Sequence, residues 1–419
     1  MDTRSNDKNV AAKGDTLSRR GFLRVGGFAL MGTAVGCALI VKEPVAVGQS
    51  TPAKFEPEDG LAYTGVSLTR PEDLRVEKAL KRWNRWTDLM EGKPAAISHE
   101  FTWFDHRGTY AYDFARAREA TPMISIEFTK VSTKEIANAG TAEDGRRTDL
   151  LILSHAYTAR RHRERVFVRL GHEMNGHWYA YCAYDEDGTP RANTTEDYKQ
   201  AWRRAVTIFR GGYVRDIDAS LADYGLPPLD REAHPPDHWG YPPLDHPEAY
   251  IPPVDNAAFV WCPNGQSLPD VAGNAAVEYY PGDDFVDWVG QDVYYAPWST
   301  SMDVLFGRMD DFYREFTDWR RKPYMLAEWG LRPPSMGPKG AKSNDSPGFI
   351  TGVLDWANSH SRAKALVYWS WNFPSEGDYR LQAFPESAKA LARGWKNPRF
   401  LDGEHARNQE AALPPEQRT

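Results

Sequence analysis

Short apolar runs recur along the chain, separated by segments whose apolar residues fall on one face only. The runs at 63–68, 95–101, 123–128, 166–170, 259–263, 288–294, 324–327 and 365–371 are rich in β-branched and aromatic residues. They are too short for helices and read as buried strands. Helical spacing appears between several of them, at 75–90, 196–210, 302–320 and 348–359. Thr194 and Thr195 offer a cap for the second of these helices. No internal repeat is visible. Eight strands alternating with helices predict an α/β fold, a single (β/α)8 barrel over 59–402. Residues 49–58 read as a linker and 403–419 as a polar tail.

Active sites of such barrels sit at the C-terminal ends of the strands. Two runs end there in a carboxylate. Residues 166–179 read VFVRLGHEMNGHWY and place Glu173 beside His172, Asn175, Trp178 and Tyr179. Residues 322–330 read KPYMLAEWG and place Glu328 beside Trp329. A carboxylate at a strand end is ordinarily half of a surface ion pair. Two of them, each set among aromatic rings, point instead to hydrolysis of a glycosidic bond. That chemistry uses one carboxyl to protonate the leaving oxygen and a second to attack the anomeric carbon or activate water. Sugar C–H faces also stack on Trp and Tyr. His99, Trp103, Tyr294, Trp369 and Trp371 fall at or near other strand ends and would converge on the same bowl. Strand alternation turns Arg169 inward, where it needs an acidic partner; Asp292 is the candidate, in a supporting role.

Composition narrows the reading. The chain has 419 residues and a formal net charge of −7, with no basic footprint for nucleic acid. Aromatics make up 13%, with 15 Trp, more than packing alone requires. Ser18-Arg19-Arg20-Gly21-Phe22-Leu23-Arg24, followed by a mildly apolar Gly/Ala-rich stretch, matches a twin-arginine export signal over 1–48. Ala34-Val35-Gly36-Cys37 resembles a lipoprotein box, and Ala46-Val47-Gly48 a plain cleavage site. The expected partners are the twin-arginine machinery and a glycan, with a membrane contact only through lipid on Cys37. Cys182 and Cys262 lie near adjacent strand ends and form either a disulfide or two buried thiols. A Pro-rich insert at 211–258 precedes strand five and reads as a structural brace or contact surface. Its His234, His238 and His246 lack the spacing of metal ligands, and no metal or cofactor is expected.

With these motifs in view, the sequence resembles glycoside hydrolase family 26, best known for β-mannanases. RLGHEMNGHWY at 169–179 is similar to the family's acid/base motif. YYPGDDFVDWVGQDVY at 279–294 is similar to its stretch entering strand six, and KPYMLAEWG at 322–330 to its nucleophile strand. The resemblance spans roughly 60–400. The Pro-rich insert and Cys262 depart from the family pattern and leave the glycan open.

The resemblance implies Glu173 as acid/base and Glu328 as nucleophile of a retaining double displacement. It implies that His172 fixes the acid and contacts sugar, that Tyr294 orients the nucleophile, and that Trp178 lines the reacting subsite. Trp371, or Trp369 one alternation earlier, would floor that subsite; His99 and Trp103 are further sugar contacts. The mechanism requires a raised pKa at Glu173 and a carboxyl separation of about 5–5.5 Å, against roughly 6.5–9.5 Å for inversion. The expected activity is an exported endo-β-1,4-mannanase. The alternatives are another β-glycan hydrolase and a non-catalytic sugar-binding protein on the same barrel.

Overall fold

The computed structural model describes residues 52–68, 75–341 and 343–412. The twin-arginine motif, Cys37 and both cleavage boxes lie outside the described residues. Eight parallel strands close into a barrel: β1 Ala62–Ser67, β2 Ile97–Trp103, β3 Thr121–Glu127, β4 Val166–Leu170, β5 Ala257–Trp261, β6 Trp288–Tyr295, β7 Tyr324–Leu331 and β8 Ala363–Trp369. Each pairs with the next, and β8 closes on β1. The alternation seen in the sequence is the alternation between barrel interior and helix layer. In β4, Phe167 points in, while Val166, Val168 and Leu170 face the helices. Gly65 in β1 lets β8 approach, since a Cβ there would sit 2.7 Å from Val367.

Several boundaries differ from the sequence reading. β5 begins two residues earlier, and β7 runs four residues beyond Ala327, so Glu328 lies within the strand. β7 also carries an extra residue against both neighbours. Leu326 pairs with Gln291 and Leu366, but Glu328 pairs with Asp292, and Trp329 with Tyr368. Such a bulge shifts the inward phase by one. Met325 and Ala327 face the interior, Glu328 then also faces inward, and Trp329 returns to the helix side.

The helices include α1 Val76–Leu89, α2 Thr109–Ala117, α3 Thr148–His162 and α4 Thr195–Arg210. Thr194 caps α4 reciprocally with Asp197. Between β5 and β6 the chain forms short 3-10 turns rather than an α-helix, consistent with the Gly and Pro spread through 263–282. The expected helix 302–320 is α-helical over Met302–Phe312 and continues as a wider π-type turn over Tyr313–Trp319, which buries Tyr313, Phe316 and Thr317. The stretch read as a polar tail forms a helix, Gly403–Ala412.

The insert braces α3 and α4. Buried Arg204 on α4 pairs with Asp149 on α3 at 2.5 Å and donates to the carbonyls of Pro227 and Pro228. Asp149 also accepts from the Asp230 amide at 2.8 Å. Trp239 stacks on Tyr157 with centroids 5.4 Å apart. His234, His238 and His246 are exposed, and no metal-holding cluster occurs among the described residues.

The stretch read as linker also packs. Phe55 is buried against Phe167 at the barrel's lower end, centroids 5.8 Å apart, and Trp288 Nε1 donates to the Lys54 carbonyl at 2.7 Å. Phe55→Ala is expected to cost about 3 kcal/mol of unfolding free energy, as for other large-to-small core changes. Urea denaturation checks this, and an unchanged midpoint would mean the plug contributes nothing.

Candidate active site

At the C-terminal end of the barrel lies a cleft of about 660 Å³. It brings together Glu173, Glu328, His172, Trp178, Tyr294, Trp369, Trp371 and Trp103. Two residues named from sequence do not reach it. Arg169 is fully buried beneath it. His99 is likewise buried, bonded to Ser125 Oγ at 2.7 Å and packed on Phe101 at 4.5 Å, so it supports the floor rather than touching sugar.

Glu173 sits on a tight turn after β4, with Gly171 at φ 46° and Glu173 itself at φ 51°. A left-handed backbone at a non-glycine residue costs about 1–2 kcal/mol. The turn is held by the Glu173 amide donating to Cys262 O at 2.9 Å and by Gly176 N donating to Glu173 O at 2.9 Å. The carboxyl accepts from Trp178 Nε1 at 2.8 Å and from Asn264 Nδ2 at 2.6 Å. Asn264 is in turn anchored to Asn175 through its amide at 2.8 Å. Gly176 seats the Trp178 ring, which lies 2.6 Å from where its Cβ would be. Burial, reinforced by the charge of Glu328, pushes the Glu173 carboxyl up to about 7.

Glu328 has a different environment. Oε1 accepts from Arg169 Nη1 at 2.5 Å, and Oε2 accepts from the Tyr294 hydroxyl at 2.7 Å. Arg169 also pairs with Asp292, the partner expected from sequence. Burial works against the guanidinium's charge, but Asp292 and Glu328 outweigh it and keep Arg169 protonated. Asp292 further accepts from the Cys262 thiol at 3.2 Å. Cys182 and Cys262 are buried free thiols, so the disulfide alternative is not realised.

His172 is held neutral by burial and by nearby Arg169, and its Nε2 lies 2.8 Å from the Tyr179 hydroxyl. Trp369 and Trp371 stack on each other at 4.5 Å, and Trp371 Nε1 donates to Ser67 Oγ at 3.0 Å. Both line the cleft, so the floor is a paired surface rather than one ring. Trp178, 39% exposed, offers its other face to the cleft.

The sequence reading missed Glu127, Asn264, Arg332 and Tyr379, all of which line the cleft. Glu127 was available from alternation, because Met123, Ser125 and Glu127 share one side of β3. Asn264, Arg332 and Tyr379 come from loops, which carry no periodic signal.

No protein-family model matches the chain, and no curated protein aligns with it significantly. Solved structures of similar fold do. The catalytic domain of a Bacillus sp. JAMB-750 GH26 endo-β-1,4-mannanase superposes with TM-score 0.54 at 14% identity, over 83% of this chain and 89% of that one. A modular endo-β-1,4-mannanase from Cellulomonas fimi gives 0.53 at 15%, over 85% and 78%. GH26C from Muricauda sp. MAR_2010_75 gives 0.51 at 16%, over 85% and 89%. At this identity the likeness carries the fold.

Removing the buried cation should destabilise the whole site. Arg169→Met leaves Glu328 and Asp292 buried without it, and about 3–5 kcal/mol of stability should be lost at neutral pH. The loss should shrink in acid, where Asp292, already pushed up by burial, takes a proton. Urea unfolding at several pH values measures both effects; a deficit that does not vary with pH would contradict the electrostatic account.

Proposed function

We propose that this protein is a retaining β-glycosidase of the family 26 type, acting as an exported endo-β-1,4-mannanase on mannan or glucomannan. One observation carries the reading: two glutamates share an aromatic cleft in opposite environments. Among the described residues Glu173 has no ion pair, and burial pushes it up to about 7. Glu328 is gripped by Arg169 and Tyr294. A pair of carboxyls separated in this way supplies an acid and a nucleophile at one pH.

In the first step Glu173 donates its proton to the glycosidic oxygen while Glu328 attacks the anomeric carbon. The C–O bond to the leaving sugar breaks and a glycosyl ester forms on Glu328. The negative charge of Glu328 disappears in that ester, which lowers the proton affinity of Glu173. Glu173 then takes a proton from water as the water attacks the anomeric carbon and releases Glu328. The paired Trp floor and Trp178 hold sugar rings by their C–H faces. The solved mannanases of the same fold support mannan as the substrate. Export rests on the twin-arginine motif in the sequence.

Activity of the free enzyme should require protonated Glu173. kcat/KM is therefore expected to fall about tenfold per pH unit above pH 7, and a flat profile to pH 9 would remove Glu173 from the acid role. Glu328→Ala should lower kcat on glucomannan by about a thousandfold or more, read as reducing-sugar release. Proton NMR of the first product should show the β-anomer; an α-anomer would establish inversion and overturn the nucleophile assignment. Hydrolysis of xylan or mixed-linkage glucan but not mannan would keep the chemistry and change the substrate. Oligosaccharide binding with no hydrolysis of any β-glycan would leave a sugar-binding protein.

A further inference from the structure

Most polar groups lining the cleft are committed within the protein. Glu173 holds Trp178 and Asn264, Glu328 holds Arg169 and Tyr294, His172 holds Tyr179, and Glu376 accepts from Tyr379 at 2.9 Å. Glu127 is not. It closes β3 with its half-buried side chain in the cleft, and among the described residues its carboxyl has no hydrogen bond or ion pair. Its oxygens keep contact with water and remain available to accept hydrogen bonds from a ligand in the cleft.

Its neighbour completes the picture. Trp103 on β2 is the register partner of Glu127, so both side chains leave the barrel wall at one level. Neighbouring strands run about 4.8 Å apart. Trp103 is 38% exposed and lines the cleft. An open indole face beside an uncommitted carboxyl matches what a pyranose presents: a C–H face and adjacent hydroxyl donors.

We propose that Trp103 and Glu127 form a flanking sugar subsite, in which one neutral pyranose lies on the indole and two adjacent hydroxyls donate to the Glu127 carboxyl. This rests on the glycosidase reading and names the residues that set chain position in the cleft. In this subsite Glu127 contributes to binding rather than to the bond-breaking step. Burial, together with the charge of Glu328, pushes its carboxyl up to about 7.

The test compares wild type, Glu127→Gln and Trp103→Ala on mannohexaose. Each variant should raise KM about tenfold or more, the usual effect of losing hydrogen bonds to a charged group, with kcat within about threefold. End-labelled fragments should show the cut displaced along the chain. A raised folded-state pKa at an unpartnered acid favours the folded protein below about pH 4.5, and that advantage is lost as pH rises through about 7. Glu127→Gln should therefore keep or raise Tm at pH 8. Unchanged KM and fragments in both variants would overturn the subsite. So would a lower Tm with a parallel fall in kcat, the mark of a structural role.

If wild type leaves mannohexaose intact, the mannan reading fails on its own. The subsite is then read from tryptophan fluorescence as Glu328→Ala, with and without Glu127→Gln, is titrated with mannohexaose, cellohexaose and xylohexaose. Binding at least about fivefold weaker in the double variant supports the subsite. Equal binding, or no binding of any of the three, overturns it.

Discussion

The site is built around a buried cation. Arg169 stands inside the barrel on β4 and reaches Asp292 on β6 and Glu328 on β7. Ionised carboxylates in a closed barrel are costly unless a cation meets them there. Arg169 offsets part of that cost at Asp292, where burial still pushes the carboxyl up, and fixes where Glu328 points. The strands follow from the same demand. Asp292 faces inward by simple alternation, whereas Glu328 needs the extra residue in β7 to face the same way. Lower in the barrel the interior is apolar, with Phe167, Trp288, Met325 and the Phe55 plug. The Arg169 cluster sits at the end where function is proposed.

Glu173 shows the complementary device. Its carboxyl also lies in a shielded setting, but its partners are an indole N–H and a side-chain amide rather than a guanidinium. The carboxyl of Glu173 is therefore raised by its surroundings, not by its residue type. The protein spends backbone strain on this arrangement, with Glu173 in a left-handed conformation locked to Cys262 and Gly176. Moving the residue back onto a regular strand would relieve the strain and withdraw the carboxyl from Trp178.

How much of this the sequence discloses depends on whether a feature is periodic. The barrel is legible because eight apolar runs separated by amphipathic segments leave few other ways to bury them. Arg169 and Asp292 are legible because inward positions repeat every two residues. The β7 bulge is not legible, because an extra residue leaves no mark in composition; KPYMLAEWG reads equally well as a strand that ends before Glu328. Phe55 is hidden for a related reason: one apolar residue in a polar stretch gives no pattern, yet the barrel's lower opening needs one to close it. Asn264 and Tyr379 reach the cleft from irregular loops whose course depends on contacts distant in sequence. His99 shows the opposite failure. Alternation turns it inward as expected, but Phe101 and the Trp pair cover it.

The two cysteines acquire a meaning beyond the absence of a disulfide. Cys182 Sγ lies 3.8 Å from the Glu173 carbonyl, and the Glu173 amide is bonded to the Cys262 backbone. Burial pushes the Cys182 thiol up to about 12 and raises that of Cys262 as well, so neither reacts while the turn is closed. Of the two, only the Cys182 thiol sits against the turn itself, whereas Cys262 points into the barrel towards Asp292. Modification of Cys182 would thus report local opening around the acid's turn, and modification of Cys262 opening of the barrel itself.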